Sequence, residues 1–185
     1  MKLTPTSLPE VKIVEPRVME DPRGRFFELF RAERFAAAGL ADRFVQDNVS
    51  TSTRGVLRGL HLQHPFGQAK LICAVRGEIF DVAVDVRVGS PTFGQWVGQY
   101  LSAKDERQFY IPAGFAHGFV VTSSEAIVVY KCTEYYHPDA ELTIRWNDPA
   151  IGIQWPARDP ILSAKDDGAP LLGDIAPEAL PRFGS

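Results

Sequence analysis

No stretch of this 185-residue chain approaches the roughly 20 consecutive apolar residues that a helix needs to cross a bilayer. Its N-terminus, Met1-Lys2-Leu3-Thr4-Pro5-Thr6, also lacks the apolar run of a secretory signal, so a cytoplasmic location is the expectation. Charge of one sign is not in excess: 20 Lys and Arg against 23 Asp and Glu leave a formal net charge of -3. That balance offers no broad attraction to nucleic acid or to an anionic membrane, and any phosphate site has to be assembled locally. Cysteine is scarce, at 2 residues; Cys73 and Cys132 both sit in apolar runs and read as reduced core residues. Internal repeats, low-complexity tracts and an interdomain linker are all missing, so one domain over residues 1–185 with one sizeable core is expected.

What is present is strand pattern. Short β-branched and aromatic runs recur between Gly, Pro and Asp at 12–18, 25–30, 44–50, 56–63, 69–75, 78–87, 93–101, 108–111, 117–122, 126–136 and 142–146, the pattern of a sandwich or barrel. Within 77–87, Phe80, Val82, Val84 and Val86 form an apolar face with Asp81 and Asp85 on the other, a period of 2 that excludes a helix. Helix is expected only over 32–38, ended by Gly39. The tail from Pro156 loses strand character and is expected to wrap on the barrel, anchored at its start by Trp146, Ile151, Ile153 and Trp155.

The residues able to carry chemistry fall in two segments, Arg58-Gly59-Leu60-His61-Leu62-Gln63 and Pro112-Ala113-Gly114-Phe115-Ala116-His117-Gly118-Phe119. In metal-binding cupin-like double-stranded barrels the first would hold His-x-His and the second Pro-x-Gly-x-x-His. Here the second matches, and Gln63 stands where the other histidine would be. Two histidines without that cluster suit proton transfer better than metal chemistry. By alternation His61 shares a small, polar face with Gly59 and Gln63, fit for an interior that holds a ligand. His64 and His137 lie beside Pro65 and Pro138 in turns and read as solvated. Lys70 opens an apolar strand and Tyr130 interrupts another; alone each reads as a snorkelling or packing side chain. Together with a histidine they supply a base, a cation for an oxyanion and an acid, the requirements of carbanion chemistry beside a carbonyl. Arg23, Arg25, Arg54 and Arg58, with Gln46 and Asn48, are the donor group best suited to phosphate. Strict alternation puts Arg58 and His61 on opposite faces, so both meet one ligand only if Gly59 marks a bulge.

With these residues assembled, the chain closely resembles the dTDP-4-dehydrorhamnose 3,5-epimerase family. The likeness runs over 13–172 and includes Phe44-Val45-Gln46-Asp47-Asn48, the two segments above, Ser90-Pro91-Thr92-Phe93-Gly94-Gln95-Trp96, Trp146-Asn147-Asp148 and Leu162-Ser163-Ala164-Lys165-Asp166. The resemblance implies a mostly β, cupin-like jelly-roll barrel with a few short helices, a homodimer formed partly by strand exchange, no metal and no cofactor. It also implies a dTDP-4-keto-6-deoxyhexose substrate. It makes His61 the general base in a dyad with Asp166, Tyr130 the acid on the opposite sugar face, and Lys70 the stabiliser of the enolate with His117 beside it. Arg23, Glu28, Gln46, Asp47, Asn48 and Arg58 would hold the thymidine diphosphate, with Glu141 and Lys165 adding contacts. Asp81 and Asp167 are fallback partners for His61 if the tail does not reach it. The competing expectations are an epimerase of one centre only, a metal-dependent cupin oxygenase using His61, His64, His117 and Glu78, and a non-catalytic nucleotide-sugar binding module.

Overall fold

The computed structural model describes residues 1–40 and 43–184, and strand dominates its regular secondary structure. In chain order the strands are β1 (Lys2–Pro5), β2 (Lys12–Glu15), β3 (Val18–Asp21), β4 (Gly24–Phe27), β5 (Gln46–Thr53), β6 (Leu57–Gln63), β7 (Lys70–Arg76), β8 (Glu78–Asp85), β9 (Trp96–Ser102), β10 (Gln108–Ile111), β11 (Phe115–Val121), β12 (Glu125–Cys132) and β13 (Glu141–Thr143). Two short helices, α1 (Ala32–Ala37) and α2 (Ala164–Asp167), join them. Among the described residues no helix is long and apolar enough to cross a membrane.

A six-stranded sheet in the order β1-β2-β10-β7-β12-β5 faces a five-stranded sheet in the order β13-β6-β11-β8-β9, while β3 and β4 form a separate hairpin. This is the expected jelly roll, with two stacked sheets in place of one closed ring. Alternation places the core. Ile72 and Ala74 of β7, Phe109 of β10 and Val128 of β12 meet Ile79 and Ala83 of β8 and Phe119 of β11 between the sheets. The even residues of β8, Phe80, Val82 and Val84, point the other way and pack beneath the tail with Trp146, Ile151, Ile153 and Trp155. The odd-numbered Asp81 and Asp85 of the same strand are therefore turned toward the core between the sheets, each with no exposure.

Polar anchors hold the tail in place. Trp155 Nε1 donates to the Trp146 carbonyl at 2.8 Å, Arg145 Nε to Ala169 O at 2.8 Å, and Leu172 N to the buried Asp148 Oδ2 at 2.7 Å. The tail then runs back beside β6: Leu57 N donates to Ile161 O at 3.0 Å, and Ile161 N to Gly55 O at 2.8 Å. This return brings α2 over the interior.

Some boundaries differ from expectation for local reasons. The run at 12–18 is two strands because Pro16, which lacks an N–H, interrupts the ladder between β2 and β3. The run at 93–101 begins only at Trp96, since Gln95 N still closes a turn on Thr92 O at 2.9 Å. Strand β1, which pairs with β2 at the sheet edge, is not expected from its Lys-Leu-Thr-Pro sequence.

Candidate active site

A cavity of about 610 Å³ opens between the sheets, lined by Ser50 of β5, Arg58 and His61 of β6, Lys70 of β7, His117 and Phe119 of β11, Tyr130 of β12, and the tail residues Ile161 to Ser163, Lys165 and Asp166. Five strands and the tail thus each contribute a side chain.

The strand β6 reaches this cavity with two residues that plain alternation would separate. Its register with β11 pairs His117 with His61 but Phe119 with Arg58, so the one residue between them on β11, Gly118, faces two on β6, Gly59 and Leu60. Gly59 sits at this bulge with φ +135°, a backbone region that side chains rarely adopt, and a Cβ there would lie 2.5 Å from Gly118 Cα. The bulge turns Arg58 to the same side as His61, resolving the conflict seen in the sequence. Arg58 Nε donates to Ser52 Oγ of β5 at 3.1 Å, which leaves the rest of its guanidinium fork to the cavity.

His61 Nε2 lies 2.6 Å from Asp166 Oδ1. Asp166 is delivered by α2, whose first turn is capped by Ser163: its hydroxyl oxygen accepts the Asp166 N–H at 3.2 Å. Burial raises the Asp166 pKa, but hydrogen bonds from His61, Ser163 and the Gly59 backbone outweigh this and hold the carboxyl below its ordinary value. A carboxylate so placed fixes the imidazole with Nε2–H toward Asp166 and Nδ1 free for the cavity. Neither fallback partner is needed, and Asp81 is engaged elsewhere: its oxygens lie 3.0 and 3.1 Å from His117 Nε2.

Lys70 is buried at the cavity floor, and its Nζ donates to the His61 carbonyl at 3.4 Å. Burial pulls its pKa down, opposed by the negative charges of Asp81 and Glu141. Tyr130 projects from the six-stranded sheet, opposite His61 on the five-stranded one. Burial pushes its phenol pKa up, with Cys132 adding to the rise and Arg58 opposing it, so the hydroxyl keeps its proton at neutral pH.

Other expected residues lie at the rim or outside. Lys165 and Glu141 form a 2.8 Å ion pair at the mouth, where Tyr136 Oη also donates to Glu141 at 3.2 Å. Gln46 Nε2 donates to Asn48 Oδ1 at 3.0 Å, and Asp47 on the outer face pairs with Lys131 at 2.9 Å. Within this chain Arg23 and Glu28 do not reach the cavity. The Arg23 side chain is 90% exposed at the tip of the β3–β4 hairpin, bound to Asp21, while Glu28 pairs with Arg31 and Arg34. Gln63, in the place of a second metal histidine, instead braces loops, donating to Phe66 O at 2.9 Å and Tyr135 O at 3.1 Å. Among the described residues no three His, Cys, Asp or Glu side chains gather as a ligand set. The oxygenase set does not assemble: Glu78 accepts from Thr122 Oγ1 at the opposite end of β8. Two features beside the cavity take roles that the sequence reading does not give them. Asp81 is the partner of His117, and Ser50 Oγ is buried with no hydrogen-bond partner among the described residues.

A family profile described as dTDP-4-dehydrorhamnose 3,5-epimerase matches residues 5–174. A Pseudomonas aeruginosa protein of that name is 56% identical over 168 residues, covering 90% of this chain and 93% of the relative. A Neisseria gonorrhoeae protein of the same name is 55% identical over 168 residues; the match covers 90% of this chain but only about half, 51%, of that relative. Among solved structures, the Legionella pneumophila dTDP-6-deoxy-D-glucose-3,5-epimerase in complex with dTDP-4-keto-L-rhamnose superposes with a TM-score of 0.96 at 52% identity, covering 100% of this chain and 99% of that one. By its sequence match and by its fold, the chain belongs to the dTDP-4-dehydrorhamnose 3,5-epimerase family.

Proposed function

We propose that this protein converts dTDP-4-dehydro-6-deoxy-D-glucose to dTDP-4-dehydro-L-rhamnose by inverting C3 and C5 through enolates. The observation that carries this reading is the cavity itself, which sets a histidine–carboxylate dyad on one sheet against a protonated tyrosine on the facing sheet, with a lysine between them. A C4 ketone acidifies the protons on C3 and C5. His61 Nδ1 removes one of them, and the imidazolium that forms is stabilised by Asp166. Charge that develops on the C4 oxygen is met by Lys70 in a site largely shielded from water. Reprotonation by Tyr130 from the far face inverts the centre.

Arg58 serves the diphosphate, with Gln46, Asp47, Asn48, Glu141 and Lys165 around the nucleotide and His117 at the sugar. Arg23 and Glu28 reach the nucleotide from the hairpin of a second copy. A homodimer accounts for their distance from the cavity, and for Phe26 on that hairpin and Val49 on the outer face of β5 standing 67% and 68% exposed in the single chain. Light scattering at the mass of one chain would reject this arrangement. The enzyme works in the cytoplasm; Cys73 and Cys132 are both free, as a reducing compartment allows.

The direct test is incubation with the 4-keto-6-deoxyglucose nucleotide in D2O, followed by NMR and by trapping with a nicotinamide-dependent 4-ketoreductase. Deuterium at both C3 and C5 with reduction to the L-rhamnose nucleotide is the expected result. Label at one carbon alone would make the enzyme a single-centre epimerase, and label at neither would remove the epimerase activity.

A further inference from the structure

The mechanism above makes no use of the buried carboxylate that faces the cavity histidine His117. Asp81 has no solvent exposure and touches His117 Nε2 with both oxygens, at 3.0 and 3.1 Å. Lys70 is the buried cation acting on this pair. Burial raises the Asp81 pKa and lowers that of His117, pushing both toward the neutral form; His117 and then the Lys70 ammonium draw Asp81 back toward the carboxylate, while Asp81 favours a His117 imidazolium and Lys70 and His61 oppose it. With Asp81 as a carboxylate, Lys70 as an ammonium and a neutral imidazole, the group carries no net charge. A neutral imidazole beside a carboxylate carries its proton on the nitrogen facing that carboxylate. His117 Nδ1 makes no hydrogen bond to any described residue, and the ring lines the cavity. It therefore presents a lone pair.

An acceptor nitrogen cannot stabilise an enolate oxygen, but it can receive an O–H. We propose that Asp81 is a positioning residue that holds His117 in the Nε2–H tautomer, so that His117 Nδ1 accepts a hydrogen bond from a ring hydroxyl of the keto sugar and the C4 oxygen is left to Lys70. This rests on the epimerase reading and adds to it a hydroxyl-recognition element. The two dyads in the cavity then differ in task. His61 accepts a proton from carbon, while His117, beside the Lys70 charge, stays neutral and recognises the sugar.

Two measurements on the unmodified protein and one variant test this. Long-range proton–nitrogen correlation spectra of histidine-labelled protein report the tautomer of His117, and exchange at C5 in D2O is compared for the parent nucleotide sugar and its 2-deoxy and 3-deoxy analogues. The expected result is an Nε2–H tautomer, with one of the two analogues exchanging about 10- to 100-fold more slowly than the parent. In Asp81→Asn, whose amide can donate to Nε2, the tautomer shifts to Nδ1–H. The parent then slows by about the same factor, and its advantage over that analogue closes while dTDP affinity is unchanged. An Nδ1–H tautomer or an imidazolium in the unmodified protein overturns the proposal, and so does full discrimination retained by Asp81→Asn. Absence of any exchange with the parent would reject the epimerase reading itself, and the tautomer would still decide the role of Asp81.

Discussion

His61→Ala is expected to bind dTDP as the unmodified protein does and to lose turnover, with exchange at both C3 and C5 falling by at least about 10²- to 10⁴-fold, the range attributed to one general base. The expectation follows from where the side chain is held. His61 is one of the cavity's two histidines, and its other ring nitrogen is fixed by a carboxylate at 2.6 Å that is itself capped and held below its ordinary pKa. Its counterpart His117 cannot replace it, because full burial, with the Lys70 charge adding to it, disfavours the imidazolium that proton removal would leave there. In the proposed arrangement the nucleotide is held by Arg58 and the cavity rim and not by His61, so binding and chemistry are expected to separate in this variant. Isothermal titration with dTDP and deuterium exchange by NMR read the two parts independently. Asp166→Asn should show a smaller loss of the same kind, since it removes the support of the base and not the base. Near-normal exchange in His61→Ala would reject His61 as the proton acceptor.

Much of the fold and of this site is legible in the order of the residues alone. The period of 2 along β8 places Asp81 and Asp85 on one face and the valines on the other, and the Arg58 to Gln63 and Pro112 to Phe119 segments mark both histidines. The limits are set by what a linear pattern cannot carry. That Asp81 serves His117 depends on β8 lying beside β11 in a register that sets Asp81 against Phe119 and Ala83 against His117, a fact of pairing between strands far apart in sequence. The Arg58 and His61 conflict can be named from alternation, but its resolution requires the close approach of Gly59 to Gly118. The α2 helix has four residues, too few to show helical periodicity, and only its Ser163 cap hints at it. The positions of Arg23 and Glu28 are least legible. The sequence shows Arg23 as a donor suited to phosphate and the family resemblance adds Glu28, whereas their distance from the cavity is a property of the β3–β4 hairpin and of the chain that leaves it.

Tyr130→Phe should separate proton removal from inversion. The substitution deletes one oxygen from the six-stranded sheet and leaves the His61–Asp166 dyad of the opposite sheet intact, so enolate formation continues and the C3 proton still exchanges with solvent. What is lost is delivery from the far face. With no acid there, the enolate is reprotonated by His61 on the side it came from, and label enters with retention. Inverted product should fall by about 10²- to 10⁴-fold while exchange at C3 remains measurable. The raised pKa of the phenol supports this assignment, because burial keeps it protonated across the neutral range and available as a donor. Stereochemical analysis of the labelled sugar decides the matter. Retained inversion would move the acid to another group on the Tyr130 side of the cavity, where Ser50 of the neighbouring strand β5 also lines the wall. Loss of exchange together with inversion would instead mean that Tyr130 is needed to form the enolate, and the division of labour between the two sheets would have to be abandoned.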